Sequence, residues 1–209
     1  MKYKLIIFDF DGTLADSFPW LVGLFNEMAD AYHFNRLGPE KVAILRTYKA
    51  AQVMKAIGIS IWQAPKIGRE IKIRMAREIE RVPLFEGIPS VLVELSRNGA
   101  ELALATSNAR TNILKVLGEG NANLFKYMEC DISLNGKKAS FQRIVRRTGL
   151  EKSRILAIGD EIRDLEAARR AGIAFGAVSW GYTDIQTLKT QSPDLVFSKA
   201  SDILDLLQN

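Results

Sequence analysis

Short apolar runs alternate with amphipathic stretches along most of the chain. Leu5 to Phe8 are uninterrupted apolar residues that end in acidic residues and Gly12, the pattern of a buried strand followed by a tight turn. Similar runs recur at Leu102–Ala105, Ile155–Ile158, Ala174–Val178 and Leu195–Phe197. Between them, apolar residues fall at helical spacing and stop near a glycine. Val91, Leu92 and Leu95 precede Asn98-Gly99, Ile113, Leu114 and Leu117 precede Gly118, Ile144 and Val145 precede Gly149, and Leu165 and Ala168 precede Gly172. A glycine just past a helix is a stop signal, because it accepts a left-handed backbone without steric cost. Strands apolar on both faces, alternating with helices, predict an α/β fold with a doubly wound, Rossmann-like parallel sheet.

One stretch breaks the alternation. From about Phe18 to Arg81 no run reads as a strand. Leu21, Leu24, Phe25 and Met28 have helical spacing, continued by Ala31 and Tyr32, and Ile67, Ile71, Met75 and Ile79 follow at four-residue steps. Pro39 is placed to open a middle helix and Gly58 to close one. The expectation is an α/β domain of residues 1–16 and 83–209, interrupted after its first strand by an all-helical cap of residues 17–82.

Composition narrows the classes. The 209 residues are 47% hydrophobic and 25% charged, as in ordinary globular chains. No apolar run approaches the roughly 18 residues of a membrane span, and the start lacks the zones of a signal peptide. The single cysteine, Cys130, cannot form an internal disulfide and is expected as a small buried apolar residue; a reducing cytoplasm follows as the expected compartment. The single histidine, His33, excludes a multi-histidine metal site and argues against serine–histidine–aspartate chemistry. The net charge of +5 suits an anionic ligand. Its cations do not form one block: Arg143, Arg146 and Arg147, like Arg69, Lys72 and Arg74, read as solvated helix faces. With no nucleic-acid motif beside them, neither nucleic acid nor membrane is an expected partner.

Four places carry candidate chemistry. Asp9 and Asp11 lie two apart at the end of the first apolar run, so an extended backbone points both carboxylates to one side, with Gly12 permitting the bend. Thr106-Ser107-Asn108 follows a second run; a hydroxyl and free amides there can hold a phosphate oxygen, or simply cap the next helix. Lys137, with Lys138 beside it, precedes a helical pattern and could offset clustered carboxylates. Gly159-Asp160-Glu161 ends another run, and Asp164, four residues beyond Asp160, could share a helix face with it. Paired carboxylates near a phosphate suggest Mg²⁺. Each feature alone has a plain reading as an acidic turn, a cap or a solvated lysine; their coincidence in this order is harder to explain away.

That order resembles the haloacid dehalogenase superfamily in its phosphatase branch, specifically its phosphoglycolate-phosphatase-like group. The carriers are FDFDGTLADS at 8–17, LATSN at 104–108, GKKASF at 136–141 and IGDEIRDLEAARRAG at 158–172. Relatives of this group carry a helical cap between the first and second motifs. The resemblance implies that Asp9 is the nucleophile forming an aspartyl-phosphate and that Asp11 is the general acid and base. It implies Mg²⁺ held by Asp9, Asp160 and the Asp11 carbonyl, and phosphate held by Gly12, Thr106, the Ser107 amide and Lys137. Asp164, and less directly Glu161, would support the lysine and the metal shell. Many relatives have a proline-rich segment after the lysine, whereas Lys138-Ala139-Ser140 stands here. Between Lys137 and Lys138 the resemblance favours Lys137, whose spacings to Phe141 and Gly149 match other branches of the superfamily.

The implied activity is Mg²⁺-dependent hydrolysis of a small phosphorylated metabolite, phosphoglycolate or a sugar phosphate among the options. A β-phosphoglucomutase-like phosphomutase would share the constellation. A phospho-aspartate receiver domain would place its aspartate after a middle strand and carry no cap. A dehalogenase would not use Asp11. Arg46, Lys49 and Arg69 in the cap are candidates for a substrate carboxylate or second phosphate, weighed against ordinary solvated positions.

Overall fold

The computed structural model describes residues 1–133 and 136–208. The strands are β1 (Leu5–Phe8), β2 (Glu101–Ala105), β3 (Phe125–Glu129), β4 (Ile155–Gly159), β5 (Ala174–Val178) and β6 (Leu195–Phe197). They form one parallel sheet in the order β3-β2-β1-β4-β5-β6. Successive side chains of a strand point to opposite faces. Ile6, Phe8, Leu102, Leu104, Leu156 and Ile158 accordingly join one core cluster, while Leu5, Ile7, Ala103, Ala105, Ile155 and Ala157 join another. Helices cover both faces. The first cluster includes α5 (Ile88–Arg97) and α6 (Arg110–Ala122), the second α7 (Lys137–Thr148) and α8 (Ile162–Ala171). Two buried faces require apolar residues at every position, which is why these runs are continuous rather than alternating.

β1 is the first strand in the chain but lies inside the sheet, between β2 and β4. The chain winds from β1 to β2 and β3 on one side, then crosses to β4, β5 and β6 on the other, opening a crevice at the carboxyl ends of β2, β1 and β4. Such switch points are where doubly wound sheets bind ligands.

The segment Phe18–Arg81 is helical: α1 (Phe18–Tyr32), α2 (Pro39–Leu45), α3 (Ala50–Ile57), α4 (Ala64–Glu78) and a 3₁₀ turn at Ile79–Arg81. It has its own core of Leu24, Met28, Phe34, Leu45, Ile57, Ile59 and Ile67. Met75 and Ile79, at the end of the stripe read from the sequence, pack instead into the α/β core and anchor the end of α4 there. The two linkers run side by side, with the Asp16 N–H on the Pro83 carbonyl and the Phe85 N–H on the Leu14 carbonyl, both at 2.9 Å.

Several local expectations differ from the structure. Strand β3 was not expected; its sequence FKYME mixes polar and apolar residues because it is the sheet edge, beyond Phe125 only partly covered. The middle of this helical segment holds two helices: Pro39 opens α2 and Gly58 closes α3, with Arg46–Lys49 between them. At Gly118 the backbone leaves helical geometry (φ 67°, ψ 167°), as its reading as a stop expects, and a further helical stretch runs on to Ala122. The short helix α9 (Ile185–Thr190) and the 3₁₀ helix Ala200–Leu207 carried no recognised signal. Cys130 is half-buried rather than buried. Among the described residues, no helix is long and apolar enough to cross a membrane.

Candidate active site

Asp9 directly follows β1, and its N–H continues the ladder to the Ile158 carbonyl at 2.9 Å. Thr106 follows β2 and Asp160 follows β4. All three are buried. Parallel register therefore brings one residue from each central strand to the same crevice.

Lys137 is the first residue of α7 and is only 5% exposed. Its Nζ lies 2.8 Å from Asp9 Oδ1 and 2.6 Å from Asp164 Oδ1. Lys138, one position on, is exposed. A residue step at a helix start rotates the side chain by about 100°, so only one of the two lysines can face the crevice. Asp160 and Asp164 do not share a helix face as the spacing suggested. Asp160 sits in the turn before α8, while Asp164 is its third residue and bends back to accept the Glu161 N–H at 3.2 Å. Both nevertheless reach the cluster.

Asp11 lies in a different setting. Its carboxylate accepts hydrogen bonds from Asn108 Nδ2 at 3.1 and 3.3 Å, and neither oxygen pairs with Lys137. Burial raises its pKa, while hydrogen bonds from Ser17 and Asn108 pull it down. In the turn after β2, Thr106 Oγ1 accepts the Asn108 N–H at 3.1 Å and Asn108 Oδ1 accepts the Ala109 N–H at 2.8 Å. The N-cap of α6 is Ala109, which has no polar side chain to cap with; Asn108 Oδ1 also accepts from Asn112 Nδ2 at 2.8 Å, and the Ser107 amide makes no hydrogen bond among the described residues.

Gly12 meets a close approach as well as a turn. Its φ is +78°, and a Cβ there would lie 2.3 Å from Asp160 Oδ2 and 2.6 Å from Tyr182 Cδ1. Asp160 is gripped at both oxygens: Thr13 Oγ1 donates to Oδ1 and the Tyr182 N–H to Oδ2, each at 2.8 Å. Glu161 accepts from Arg163 at 2.7 Å.

The charges do not balance. Among the described residues, Asp9, Asp11, Asp160, Glu161 and Asp164 gather around two cations, Lys137 and Arg163. Burial pushes the Asp9 carboxyl up to about 7 despite Lys137, which it shares with Asp164. Asp160 is raised well above the usual carboxylate range, by burial and then by repulsion from Glu161, Asp9 and Asp164. Burial would lower the Lys137 ammonium, but Asp164 and Asp9 outweigh it and hold the charge. Carboxylate oxygens of Asp9, Asp160 and Asp164 lie within 4.8 Å of one another. Buried, oxygen-only and short of positive charge, this donor set fits a hard divalent cation. Asp164 enters the cluster as a third carboxylate beyond the two whose side chains were expected to hold metal, although its Oδ1 is engaged by Lys137.

Asn108 was read with Thr106 and Ser107 but given no role, and Thr13, Ser17, Arg163 and Tyr182 were not singled out as site residues from the sequence. Thr13, Ser17, Asn108 and Arg163 lie inside the quoted motifs, so their neighbourhood was a signal. Tyr182 had none. Of the cap cations, Arg46 donates to the Gly181 and Tyr182 carbonyls, Lys49 pairs with Glu166 at 3.0 Å, and Arg69 is exposed.

Residues 6–178 match the haloacid dehalogenase-like hydrolase family. A phosphoglycolate phosphatase of Synechococcus elongatus is 32% identical over 202 residues, spanning 96% of this chain and 95% of the relative. An N-acetylmuramic acid 6-phosphate phosphatase of Pseudomonas aeruginosa is 24% identical over 217 residues, spanning 99% and 96%. The solved structure of a haloacid dehalogenase-like family hydrolase from Streptococcus pneumoniae superposes with a TM-score of 0.81 at 22% identity, covering 99% of each chain. With the crevice geometry and a family match over most of its length, the chain belongs to the haloacid dehalogenase-like hydrolases.

Proposed function

We propose that the protein is a Mg²⁺-dependent phosphatase that hydrolyses a small phosphomonoester through an aspartyl-phosphate on Asp9. The observation that carries this reading is the split between two aspartates at one strand end. Asp9 is buried against Lys137, and Asp11 is held by Asn108 in a separate hydrogen-bonded setting.

Lys137 occupies Asp9 Oδ1, which leaves Oδ2 to attack phosphorus. As the phosphorus–oxygen bond to the substrate breaks, Asp11, its pKa raised by burial, delivers a proton to the leaving alcohol. Asp11 then takes a proton from the water that attacks the aspartyl-phosphate, freeing phosphate and restoring Asp9. Thr106, the free Ser107 amide and the Lys137 ammonium hold the phosphoryl oxygens. Asp9, Asp160 and the Asp11 carbonyl would hold Mg²⁺, with Asp164 available beside them. When bound, the cation offsets charge on the transferring group. The helical segment acts as a cap that excludes water and selects the substrate. The named activities of the Synechococcus and Pseudomonas relatives support a phosphorylated hydroxy acid or sugar as the substrate class. The single cysteine supports a cytoplasmic setting.

The test is phosphate release from a panel of phosphomonoesters with Mg²⁺, followed by acid trapping of phosphoenzyme. Asp9→Asn should lose turnover and covalent phosphate together. Asp11→Asn, loaded with acetyl phosphate, should keep the phosphoenzyme because no base activates water. Phosphate carried by Asp9→Asn but not by Asp11→Asn would reverse the two roles. An isomerised sugar phosphate as product, without phosphate release, would make the protein a phosphomutase.

A further inference from the structure

The turn after β5 joins the cap to both halves of the site. Tyr182 donates its N–H to Asp160 Oδ2 at 2.8 Å, and its phenol oxygen lies 2.7 Å from Ser17 Oγ, whose hydroxyl hydrogen-bonds Asp11. Burial and the nearby Asp11 carboxylate keep the phenol protonated. Gly181 passes so close that a Cβ there would lie 2.0 Å from Asp160 Cβ. This turn therefore sets where Asp160 points, and through Ser17 it also touches Asp11.

What holds the turn in place comes largely from the cap. Arg46, just past α2, donates through Nη2 to the Gly181 carbonyl at 2.7 Å and through Nε to the Tyr182 carbonyl at 3.2 Å. The Arg46 carbonyl accepts the Asp184 N–H at 2.8 Å. Its guanidinium lies over the Phe18 ring, and that ring packs on Tyr182 with centroids 4.9 Å apart. A planar guanidinium reaches two adjacent carbonyls from two nitrogens held in a fixed fork; an ammonium offers all its donors from one nitrogen and lacks that match.

We propose that Arg46 and Tyr182 are positioning residues, a latch through which the seated cap fixes Asp160 and Asp11 for the phosphatase reaction. Neither residue touches the reacting atoms. Arg46 acts on the carbonyl side of the turn, and Tyr182 passes the constraint to Asp160 by its N–H and to Asp11 by its hydroxyl. The catalytic role of this latch rests on the phosphatase reading; the contact itself does not.

The experiment compares wild type with Arg46→Ala, Arg46→Lys and Tyr182→Phe in the full chain. Metal-free amide hydrogen exchange of residues 179–184 is measured alongside kcat and KM. Arg46→Ala should speed exchange in this segment about tenfold or more and lower kcat by a similar factor. Arg46→Lys should recover part of both. Tyr182→Phe keeps the ring and the N–H, so exchange should stay near wild type while kcat falls about tenfold with KM within twofold. Unchanged exchange in a folded Arg46→Ala protein would overturn the latch. Faster exchange with unchanged kcat would overturn its positioning role. If wild type released phosphate from no ester yet the exchange responded, the phosphatase reading would fall while the Arg46 contact stood.

Discussion

Replacing Asp9 by asparagine should inactivate the protein and make its metal-free form more stable at alkaline pH. The folded Asp9 carboxyl is raised to about 7 by burial, against roughly 3.9 in an unfolded chain. Between those values the folded state binds more protons than the unfolded one, so stability falls as pH rises through the window and levels off above about 7. A difference of about 3 units at about 1.4 kcal/mol each puts the cost near 4 kcal/mol at pH 8. Asparagine cannot ionise and removes it. The offset is that Lys137 loses one of its two carboxylate partners, although Asp164 remains at 2.6 Å. The raised Lys137 pKa adds no slope here, since its stability is lost only as pH rises above its unfolded value near 10.4. A net gain of about 1–3 kcal/mol should raise Tm by roughly 3–10 °C, at about 2–4 °C per kcal/mol for a chain of this size. Thermal melts in excess chelator at pH 8 and pH 4 provide the measurement. The variant should melt higher at pH 8, match wild type at pH 4, and gain less from added Mg²⁺. A variant that melts lower than wild type at pH 8, or by the same margin at both pH values, would refute the charge-repulsion account.

Other outcomes follow from the same geometry. Chelator should abolish turnover and Mg²⁺ restore it, while Asp160→Asn should raise the Mg²⁺ needed for half activity at least tenfold, about 1.4 kcal/mol of binding; full turnover in excess chelator would exclude the metal. Gly12→Ala sets a Cβ 2.3 Å from Asp160 Oδ2 at a φ of +78°, so the folded variant should lose about 1–3 kcal/mol of stability or more and nearly all activity. Wild-type kcat in that variant would contradict the close approach. Asn108→Ala removes the amide that donates to Asp11 and the oxygen that accepts from the Ala109 N–H and Asn112 Nδ2. It should lower kcat about tenfold with KM little changed, and destabilise by about 1 kcal/mol in a denaturant titration, the net worth of a hydrogen bond.

Local pattern was enough for the sheet. Leu5–Phe8, Leu102–Ala105, Ile155–Ile158 and Ala174–Val178 are legible because a strand buried on both faces has no polar position to confuse the signal. The same rule explains the miss at β3, where an edge location lets Lys126 and Glu129 reach solvent or surface partners. Helicity of the segment between Phe18 and Arg81 was likewise legible from apolar spacing, and Pro39 and Gly58 marked helix ends correctly. The break between α2 and α3 carried no such mark.

The sequence by itself determined which residues stand at strand ends: Asp9 and Asp11, Thr106, and Asp160, each after an apolar run. The family resemblance, through the spacings to Phe141 and Gly149, also ranked Lys137 over Lys138. Tertiary structure decided which groups surround them. Asn108 reaches Asp11 across 97 positions, Thr13 reaches Asp160 across 147, Arg46 reaches Gly181 across 135, and Ser17 meets Tyr182 across 165. Hydrophobic periodicity reports that an element is buried, and on which face, but not against what. A tyrosine in the turn after β5 looks like any loop residue until sheet order places β5 beside β4 and the cap sets Arg46 above it.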